Sequence, residues 1–395
     1  MSFDIKSYYA TAVSSNLGYL RTQLLNGSEK ADRWQKQNAT VINGIAEGLA
    51  YPMLQEDAVQ LLIDLMRLVE RWGFWADYLS LGEQAVELEL STKRHGYLQI
   101  MLGRFYYLNR NFDDAQRHLE VALDIAREHQ FKELEAAAEY QITNLYWGKK
   151  ELLQAREHGL RALALLPETP SRTLAALYNS LGLVEMELLD EETSEKYFWK
   201  ALSLWDSLKD SVQMARCYLN LGVLFYHQQC LEEAERCYQS SLDALGNMVG
   251  EVDRLKALNG LGTLHYAARE YRKAEAVFRQ GVVEVKELNI MYHLRGSLTH
   301  NLGNTLLALG ILEEARLYLD QAIAFWEQAD DDLELANSVG TLAEVYEADE
   351  AWQTAVATYD QALELLVNYP DHPWAKRLRQ NFTEAKEKCA RQLAG

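Results

Sequence analysis

The chain has 395 residues, a formal net charge of −19 and only five prolines. This acidic balance argues against nucleic acid and anionic membranes as main partners, because binding to phosphate groups needs a basic surface. No apolar run approaches the roughly 18 residues that cross a bilayer, and residues 1–4 begin no signal peptide. We therefore expect a cytoplasmic protein that binds neither nucleic acid nor membrane.

The first ninety residues differ in pattern from the rest. Turn-forming residues interrupt the apolar pattern near Gly27, Pro52 and Gly73. The segments between these breaks predict four helices, at residues 3–25, 28–50, 54–72 and 75–90. We assign residues 1–53 to N-terminal lead-in helices and residues 54–90 to a degenerate first repeat.

From residue 91 onward, small residues return at one spacing. Seven of them are separated by 40, 39, 40, 40, 41 and 40 residues: Ala115, Ala155, Ser194, Ala234, Ala274, Ala315 and Ala355. Such a period over most of a chain indicates a solenoid of helical hairpins. Because these solenoids mostly bind other molecules, the pattern predicts recognition.

Each small residue belongs to a stripe of small, large and small side chains. The second small residue follows seven positions later, at Ala122, Ala162, Ala201, Ser241, Gly281, Ala322 and Ala362. The bulky residue lies between them, at Leu119, Phe198, Tyr238, Phe278, Leu319 and Tyr359, with Gly159 as the exception. Offsets of four and seven share one helix face, so the stripe predicts the close approach of a neighbouring backbone.

A Leu-Gly pair lies upstream of five of the seven small residues. The glycine is twelve positions before the small residue, in Leu102-Gly103, Leu181-Gly182, Leu221-Gly222, Leu261-Gly262 and Leu302-Gly303. Glycine inside a helix costs about 1 kcal/mol relative to alanine, so we expect a close helix crossing at each position. Three positions after the glycine position of each repeat, an aromatic residue occurs at Tyr106, Tyr146, Phe225 and Tyr346. Glu185, His265 and Leu306 depart from this pattern.

These positions resemble the tetratricopeptide repeat (TPR) pattern over residues 91–368, which we assign to seven TPR-like repeats. The resemblance implies an all-α fold, a right-handed superhelical solenoid of antiparallel helix pairs. Helix A of each pair would carry Leu-Gly, and helix B would carry the small residues. The period of about 40 rather than 34 is similar to that of kinesin light chains and of the sensor arms of bacterial STAND ATPases.

Residues 8–90 also resemble the lead-in to the TPR region of STAND regulators. The similarity rests on the Trp-Gly-Phe-Trp turn at residues 72–75 and on the Leu-Gly-Glu-Gln-Ala run at residues 81–85. No GxxxxGK[ST] motif occurs, so the nucleotide-binding domain of those regulators is absent. The resemblance implies a sensor arm without its ATPase.

After Tyr369-Pro370, residues 371–395 predict a C-terminal capping helix. Its apolar side carries Trp374, Leu378, Phe382 and Leu393. The end of a solenoid exposes an apolar face that must be covered, which favours a capping role. Six basic and two acidic residues between Lys376 and Arg391 leave two interpretations: an ordinary solvated face, or a second docking surface for an acidic partner.

The sequence lacks the common catalytic and metal-binding motifs. It contains no GxSxG, no HExxH and no phosphate-binding glycine loop, and its nine histidines form no recurring pair with carboxylates at metal spacing. The four cysteines show no CxxC pairing, as expected of free thiols in a reducing compartment. We predict no catalysis, no cofactor and no bound metal.

If the TPR resemblance holds, helices A line a concave surface that can be read from the glycine position. Its predicted residues are Tyr97, Arg104, Tyr107, Tyr140, Asn144, Trp147, Asn179, Met186, Arg216, Tyr226, His227, Lys256, Asn259, Tyr266, His300, Asn304 and Asn337. The aromatic side chains would accept apolar groups, and the asparagine amides would pair with the backbone of an extended peptide. Arg104, Arg216 and Lys256 could hold carboxylates, whereas Glu344 and Glu347 would make the C-terminal end acidic.

Each aromatic residue of this surface could instead pack in the core, because a helical stripe is most often core. The asparagines favour a surface, since Asn has a poor helix propensity and no evident role in a core.

Three functions stay open. The favoured prediction is a non-catalytic scaffold that captures a protein or peptide segment on its concave surface, as the sensing or adaptor part of a bacterial regulatory assembly. One alternative is a peptide-pheromone receptor. The other is a regulator that holds a separately encoded protease or STAND-type ATPase inactive.

Overall fold

Nineteen α-helices and no strand make up the described part of the chain. The structure, a computed structural model, describes residues 5–25, 36–72, 75–246, 252–285 and 292–394. Within these ranges, none of the helices is long and apolar enough to span a membrane. The predicted all-α fold of antiparallel helix pairs is confirmed. The chain divides into two compact units, Met1–Leu208 and Lys209–Gly395.

Ten helices are described in the first unit. They are α1 (Ile5–Leu25), α2 (Asn38–Ala50), α3 (Gln55–Trp72), α4 (Trp75–Val86), α5 (Thr92–Leu108), α6 (Phe112–Glu128), α7 (Lys132–Gly148), α8 (Leu152–Leu165), α9 (Arg172–Glu187) and α10 (Glu191–Ser207). A helix begins at Asn38, inside the helix predicted for residues 28–50, and residues 26–35 lie outside the described residues. A turn of the 3-10 type at Pro52–Leu54 leads into α3.

The fourth helix ends at Val86, four residues earlier than predicted. The connection that follows is held from α3: the Glu56 carboxylate accepts a hydrogen bond from the Ser91 backbone N–H at 2.5 Å and also pairs with Arg94. Because Ser91 is the residue before α5, this contact fixes where the next helix starts and leaves residues 87–91 as a connection.

Nine helices are described in the second unit. They are α11 (Ser211–His227), α12 (Leu231–Leu245), α13 (Val252–Ala267), α14 (Tyr271–Val285), α15 (Tyr292–Ala308), α16 (Leu312–Ala329), α17 (Asp332–Ala348), α18 (Trp352–Leu365) and α19 (Pro373–Ala394). A 3-10 turn at Leu366–Asn368 follows α18. The C-terminal helix packs Phe382 against Gly340 of α17, so it covers the end of the last repeat.

The glycine of each Leu-Gly pair faces the bulky residue of the next helix. A Cβ atom built on Gly182 would lie 2.6 Å from the Phe198 ring. A Cβ atom on Gly222 would lie equally close to the Tyr238 ring, which also wedges against Gly260 of α13. Side chains in a packed core do not approach so closely, so only glycine fits at these crossings. This contact is the close helix crossing that the sequence predicts.

The turn between the two helices has the same geometry in the seven helix pairs from α5 and α6 to α17 and α18. One residue per turn is left-handed, with φ from 57° to 73°: Arg110, Lys150, Leu189, Gln229, Arg269, Gly310 and Glu350. The next residue donates its N–H to the carbonyl five positions earlier, as in Asn111 to Tyr106 at 3.0 Å and Ala351 to Tyr346 at 2.9 Å. This bond is the Schellman closure of a helix C-terminus, and it fixes the reversal of the chain.

Candidate peptide-binding surface

The predicted binding residues of the first unit lie on α5, α7 and α9, and we call them the first helix A surface. Seven of them are half-buried: Tyr97, Arg104, Tyr107, Tyr140, Trp147, Asn179 and Met186. Asn144 is buried. This surface therefore consists of side chains that pack against their neighbours and also reach solvent.

The predicted binding residues of the second unit lie on α11, α13, α15 and α17, and we call them the second helix A surface. Three of them are exposed cations or potential cations: Arg216, His227 and Lys256. Five are half-buried: Tyr226, Asn259, Tyr266, Asn304 and Asn337. His300 is buried.

Polar contacts join neighbouring helices A across the first surface. The Arg104 Nε lies 2.8 Å from the Glu70 carboxylate of α3. The Ser180 hydroxyl of α9 donates to the Asn144 side-chain oxygen of α7 at 2.8 Å. Each contact spans about one repeat, so these side chains hold successive repeats together as well as forming a surface.

Polar contacts also join neighbouring helices A across the second surface, and most of them are hydrogen bonds between neutral side chains. The Asn301 amide of α15 donates to the Asn259 oxygen of α13 at 2.9 Å. The Tyr266 hydroxyl donates to the Asn304 oxygen at 3.3 Å. The Arg216 Nε lies 2.6 Å from the Asp253 carboxylate. The side chains of this surface are thus held in place before any ligand arrives.

These contacts correct the argument from the asparagines. Asn144, Asn259 and Asn304 do have structural roles, because each accepts a hydrogen bond from the helix A of a neighbouring repeat. Helices A of adjacent repeats lie side by side, so an amide on one helix meets a polar group roughly 36 to 42 residues away in sequence. These hydrogen bonds between repeats explain why asparagine, a poor helix former, occurs at these positions.

His300 is a structural residue rather than an open ligand-binding group. Its Nδ1 lies 2.9 Å from the Ser338 hydroxyl, and the Asn337 amide lies 3.3 Å from its Nε2. A neutral imidazole with its proton on Nδ1 satisfies both contacts. Burial lowers the pKa of His300 to about 4, so the ring is neutral at physiological pH.

The aromatic residues of the first surface pack partly between helices. A Cβ atom on Gly148 would lie 2.6 Å from Tyr107 Cε2, so this ring fills the space above the next helix A. Arg104 lies over its outer face, 5.3 Å from the ring centre. Lys150 covers Trp147 at 5.5 Å, and the indole N–H of Trp147 is buried with no hydrogen-bond partner among the described residues.

The two glutamates predicted to make the C-terminal end acidic, Glu344 and Glu347, have different surroundings. The Glu347 carboxylate is occupied by Lys388 of the C-terminal helix at 2.5 Å and by the Tyr359 hydroxyl at 3.1 Å. The Glu344 side chain keeps contact with solvent. Desolvation of the carboxylate by nearby protein atoms, together with repulsion from Glu347, raises the pKa of Glu344 to about 7.

Most basic side chains of α19 already pair with groups of the second unit. Lys386 pairs with Asp360, Lys388 with Glu347, and Lys376 with Asp371 at 3.2 Å. The Arg379 guanidinium donates to the carbonyl oxygen of Leu366 at 3.0 Å. These contacts favour the interpretation of an ordinary capping face over that of a docking surface for an acidic partner.

Sequence reasoning missed the partners that complete both surfaces. They are Glu70, Ser180, Asp253, Asn301 and Ser338. Each lies 34 to 42 residues from its predicted partner and on the adjacent helix A. A search for complementary polar side chains one repeat apart could therefore have found them. No group of three His, Cys, Asp or Glu residues in the described part of the chain could hold a metal ion.

Comparison with known families agrees with this geometry. A family model described as Tetratricopeptide repeat matches residues 173–247 and 294–366, and a second model with the same description matches residues 99–129. The chain contains tetratricopeptide repeats over these residues. No curated protein gives a significant match to the chain.

Three solved structures illustrate the likeness of fold. A STAND protein with a TPR sensor from Pyrococcus horikoshii has a TM-score of 0.63 and 15% identity, over 83% of this chain and 50% of that one. The apo form of RapI has a TM-score of 0.59 and 13% identity, over 84% and 98%. A Rap protein complexed with competence and sporulation factor has a TM-score of 0.53 and 15% identity, over 85% and 100%.

Proposed function

We propose that this TPR protein is a non-catalytic scaffold that captures a protein or peptide segment on its helix A surfaces. Its role would be that of the sensing or adaptor component of a bacterial regulatory assembly. The ligand would be an extended segment, because rows of amides and aromatic rings suit a backbone with alternating side chains.

The observation that carries this proposal is the composition of the second helix A surface. Exposed Arg216, His227 and Lys256 lie on the same two helices as the half-buried rings of Tyr226 and Tyr266. Tyr and Arg are the residue types enriched where protein interfaces gain most of their binding energy. Lys256 has no ion-pair partner among the described residues, which favours a segment that carries a carboxylate near α13.

The hydrogen bonds within this surface support binding rather than mere solvation. Tyr266 is fixed by Asn304, and Asn259 is fixed by Asn301, so these side chains are already ordered in the free protein. A preorganised surface loses less conformational entropy when a ligand binds, and affinity rises accordingly.

The comparison structures favour a peptide receptor as a second candidate. One of them is a Rap protein complexed with competence and sporulation factor. The STAND protein with a TPR sensor favours the role of sensor arm, although this chain spans half the length of that one. A regulator of a separate protease or ATPase is distinguished from both candidates by a co-purifying enzyme.

We further propose the same organisation as that predicted from the sequence: lead-in helices at 1–53, a degenerate repeat at 54–90, seven repeats at 91–368 and a cap at 371–395. Packing of the degenerate repeat supports it, because a Cβ atom on Gly82 would lie 2.7 Å from Leu102 of the next helix A. Ala85, on the corresponding small-residue stripe, is fully buried.

The test uses peptides selected from a random displayed library against the full chain. We expect the double substitution Tyr226→Ala with Tyr266→Ala to weaken the selected peptides by about 2 kcal/mol, or roughly 30-fold, in isothermal titration calorimetry. The matched control, Tyr226→Phe with Tyr266→Phe, keeps both rings and should bind within a few-fold of the wild type.

Circular dichroism of the same variants separates binding from folding. Unchanged affinity together with a large fall in thermal stability of the alanine variant would show that both rings belong to the core. Peptides that bind the alanine variant as tightly as the wild type would exclude the second helix A surface as their site.

A further inference from the structure

An open cleft lies on the last repeat, away from the helix A surfaces. It has a volume of about 340 Å³ and runs between α16, α17 and α18. Its apolar floor includes Ile323, Leu335 and Leu365, and its rim carries Glu327 and Glu364. Leu335 points to a different side of α17 from Asn337 and Glu344, because positions two and nine residues apart lie on different helix faces. The cleft is therefore independent of the proposed binding surface.

The preceding two repeats cover the equivalent position with an arginine. In the repeat of α13 and α14, Arg254 lies 2.8 Å from the Glu284 carboxylate. In the repeat of α15 and α16, Arg295 lies 4.4 Å from the centre of the Phe325 ring. In both pairs the arginine of helix A is thirty residues before its partner on helix B. The guanidinium thus bridges the two helices of each hairpin.

The last repeat lacks this cover. Thirty residues also separate Leu335 from Leu365, so these two leucines occupy the positions of the arginine and its partner. A leucine pair cannot reach across the opening as an arginine does, and the apolar floor stays open. In this repeat, therefore, no guanidinium from position 335 lies over the apolar floor.

The rim of the cleft is charged and has no cation of its own. Glu327 and Glu364 are exposed, and neither carboxylate has an ion-pair partner among the described residues. A guanidinium matches carboxylates through paired N–H groups, and its methylene stem packs well on apolar surface. A volume of this size lies at the lower end of that of ligand sites and suits one or two side chains.

We propose that this cleft binds a partner segment that presents an arginine beside a large apolar side chain. The partner would supply the arginine that the two preceding repeats supply from their own helix A. A second copy of this chain is the poorer occupant, because a chain of net charge −19 brings further negative charge to an acidic rim. The inference does not rest on the peptide-binding role of the helix A surfaces.

The probe is a fluorescein-labelled peptide of about 16 residues, long enough to form a helix in an alanine background. One face carries two leucines and two arginines. The matched peptide has citrulline in place of arginine, which preserves shape and removes the charge. Fluorescence anisotropy with the full chain should give binding of the arginine peptide that is at least about tenfold tighter than that of the citrulline peptide.

Two variants of the protein test the site. Leu335→Arg restores the cover of the preceding repeats and should weaken the arginine peptide at least about tenfold. The second variant, Glu327→Gln with Glu364→Gln, changes only exposed side chains and should have a similar effect without loss of folding. Leu317→Arg places the same new charge on an exposed site of α16 and should leave binding unchanged.

Several results would overturn the proposal. They are no binding of the arginine peptide to the wild type, equal binding of the citrulline peptide, or undiminished binding to both cleft variants. Sedimentation analysis tests the other occupant: a dimer of the wild type that disappears on Leu335→Arg would assign the cleft to a second copy instead.

Discussion

The crossings between helices A and B and the surfaces formed by helices A are stabilised by different interactions. At the crossings, a large side chain packs against a glycine, as Tyr238 packs against Gly222. On the second helix A surface, polar side chains meet across repeats, as Asn259 meets Asn301. The comparison teaches that shape specifies the inside of each repeat, whereas hydrogen bonds between repeats order the side chains of the candidate binding surface.

The largest effect is expected at the ring that contacts two helices A. Tyr238→Ala should lower the free energy of unfolding by about 3–5 kcal/mol, because the cavity would open beside both Gly222 and Gly260. Urea-induced unfolding followed by circular dichroism measures this loss. Leu153→Ala, at an exposed site on α8, is the control and should change stability by less than about 0.5 kcal/mol. Similar losses in both variants would contradict the wedge role of Tyr238.

The buried histidine should make stability depend on pH. In the unfolded chain His300 takes up its proton near pH 6.5, whereas in the folded chain it does so only near pH 4. Between these values the unfolded state binds more protons, so stability should fall by about 3 kcal/mol as the pH falls from 6.5 to 4. The dependence of urea midpoints on pH measures this fall.

His300→Gln is the matched variant for this test, because it keeps a polar side chain near Ser338 and cannot titrate. Its stability should change less than that of the wild type over the same range of pH, by about 3 kcal/mol. Parallel curves for the two proteins would mean that His300 is accessible to protons in the folded state.

A smaller effect is expected from a single methyl group at a crossing. Gly222→Ala should destabilise the protein by about 1–3 kcal/mol, because the new Cβ atom would overlap the Tyr238 ring. Gly18→Ala is the control, since beyond its own helix backbone no atom of the described residues lies within 4 Å of its Cβ position. It should gain up to about 1 kcal/mol from helix propensity. If both alanine variants were more stable than the wild type, the Tyr238 ring would be able to move aside for the new Cβ atom.

The smallest effect concerns the bridge between Asn259 and Asn301. A double-mutant cycle with alanine at both positions should give a coupling free energy of about 1 kcal/mol, the usual contribution of one hydrogen bond. Thermal unfolding of the four proteins supplies the cycle. Additive losses would show that this bond does not link the two repeats and would weaken the contrast between crossings and surfaces.

The repeat itself could be predicted from sequence because its signals are local. Gly182 and Phe198 lie sixteen residues apart, within one hairpin, and the same offset recurs along the chain. The C-terminal helix was also predictable, since residues such as Phe382 continue an apolar stripe after Tyr369-Pro370. Helix propensity and one hydrophobic period suffice for such features.

The candidate site could be predicted only in part. The positions on helix A followed from the glycine frame, but the burial of His300 depends on Ser338, which belongs to another repeat. In the same way, Glu347 resembles a free carboxylate until Lys388 of the C-terminal helix is placed beside it. Such pairings depend on side-chain contacts across repeats, which no local pattern specifies.

The left-handed turns are compatible with repeat number changing by gene duplication. Six of the seven turns close on a residue that is not glycine, and Leu189 even exposes an apolar side chain there. Because backbone hydrogen bonds define the reversal, its geometry tolerates almost any side chain at a modest energetic penalty. A duplicated segment of about 40 residues would carry its turn with it. Gene duplication can therefore add a hairpin before any selection has refined the new turn.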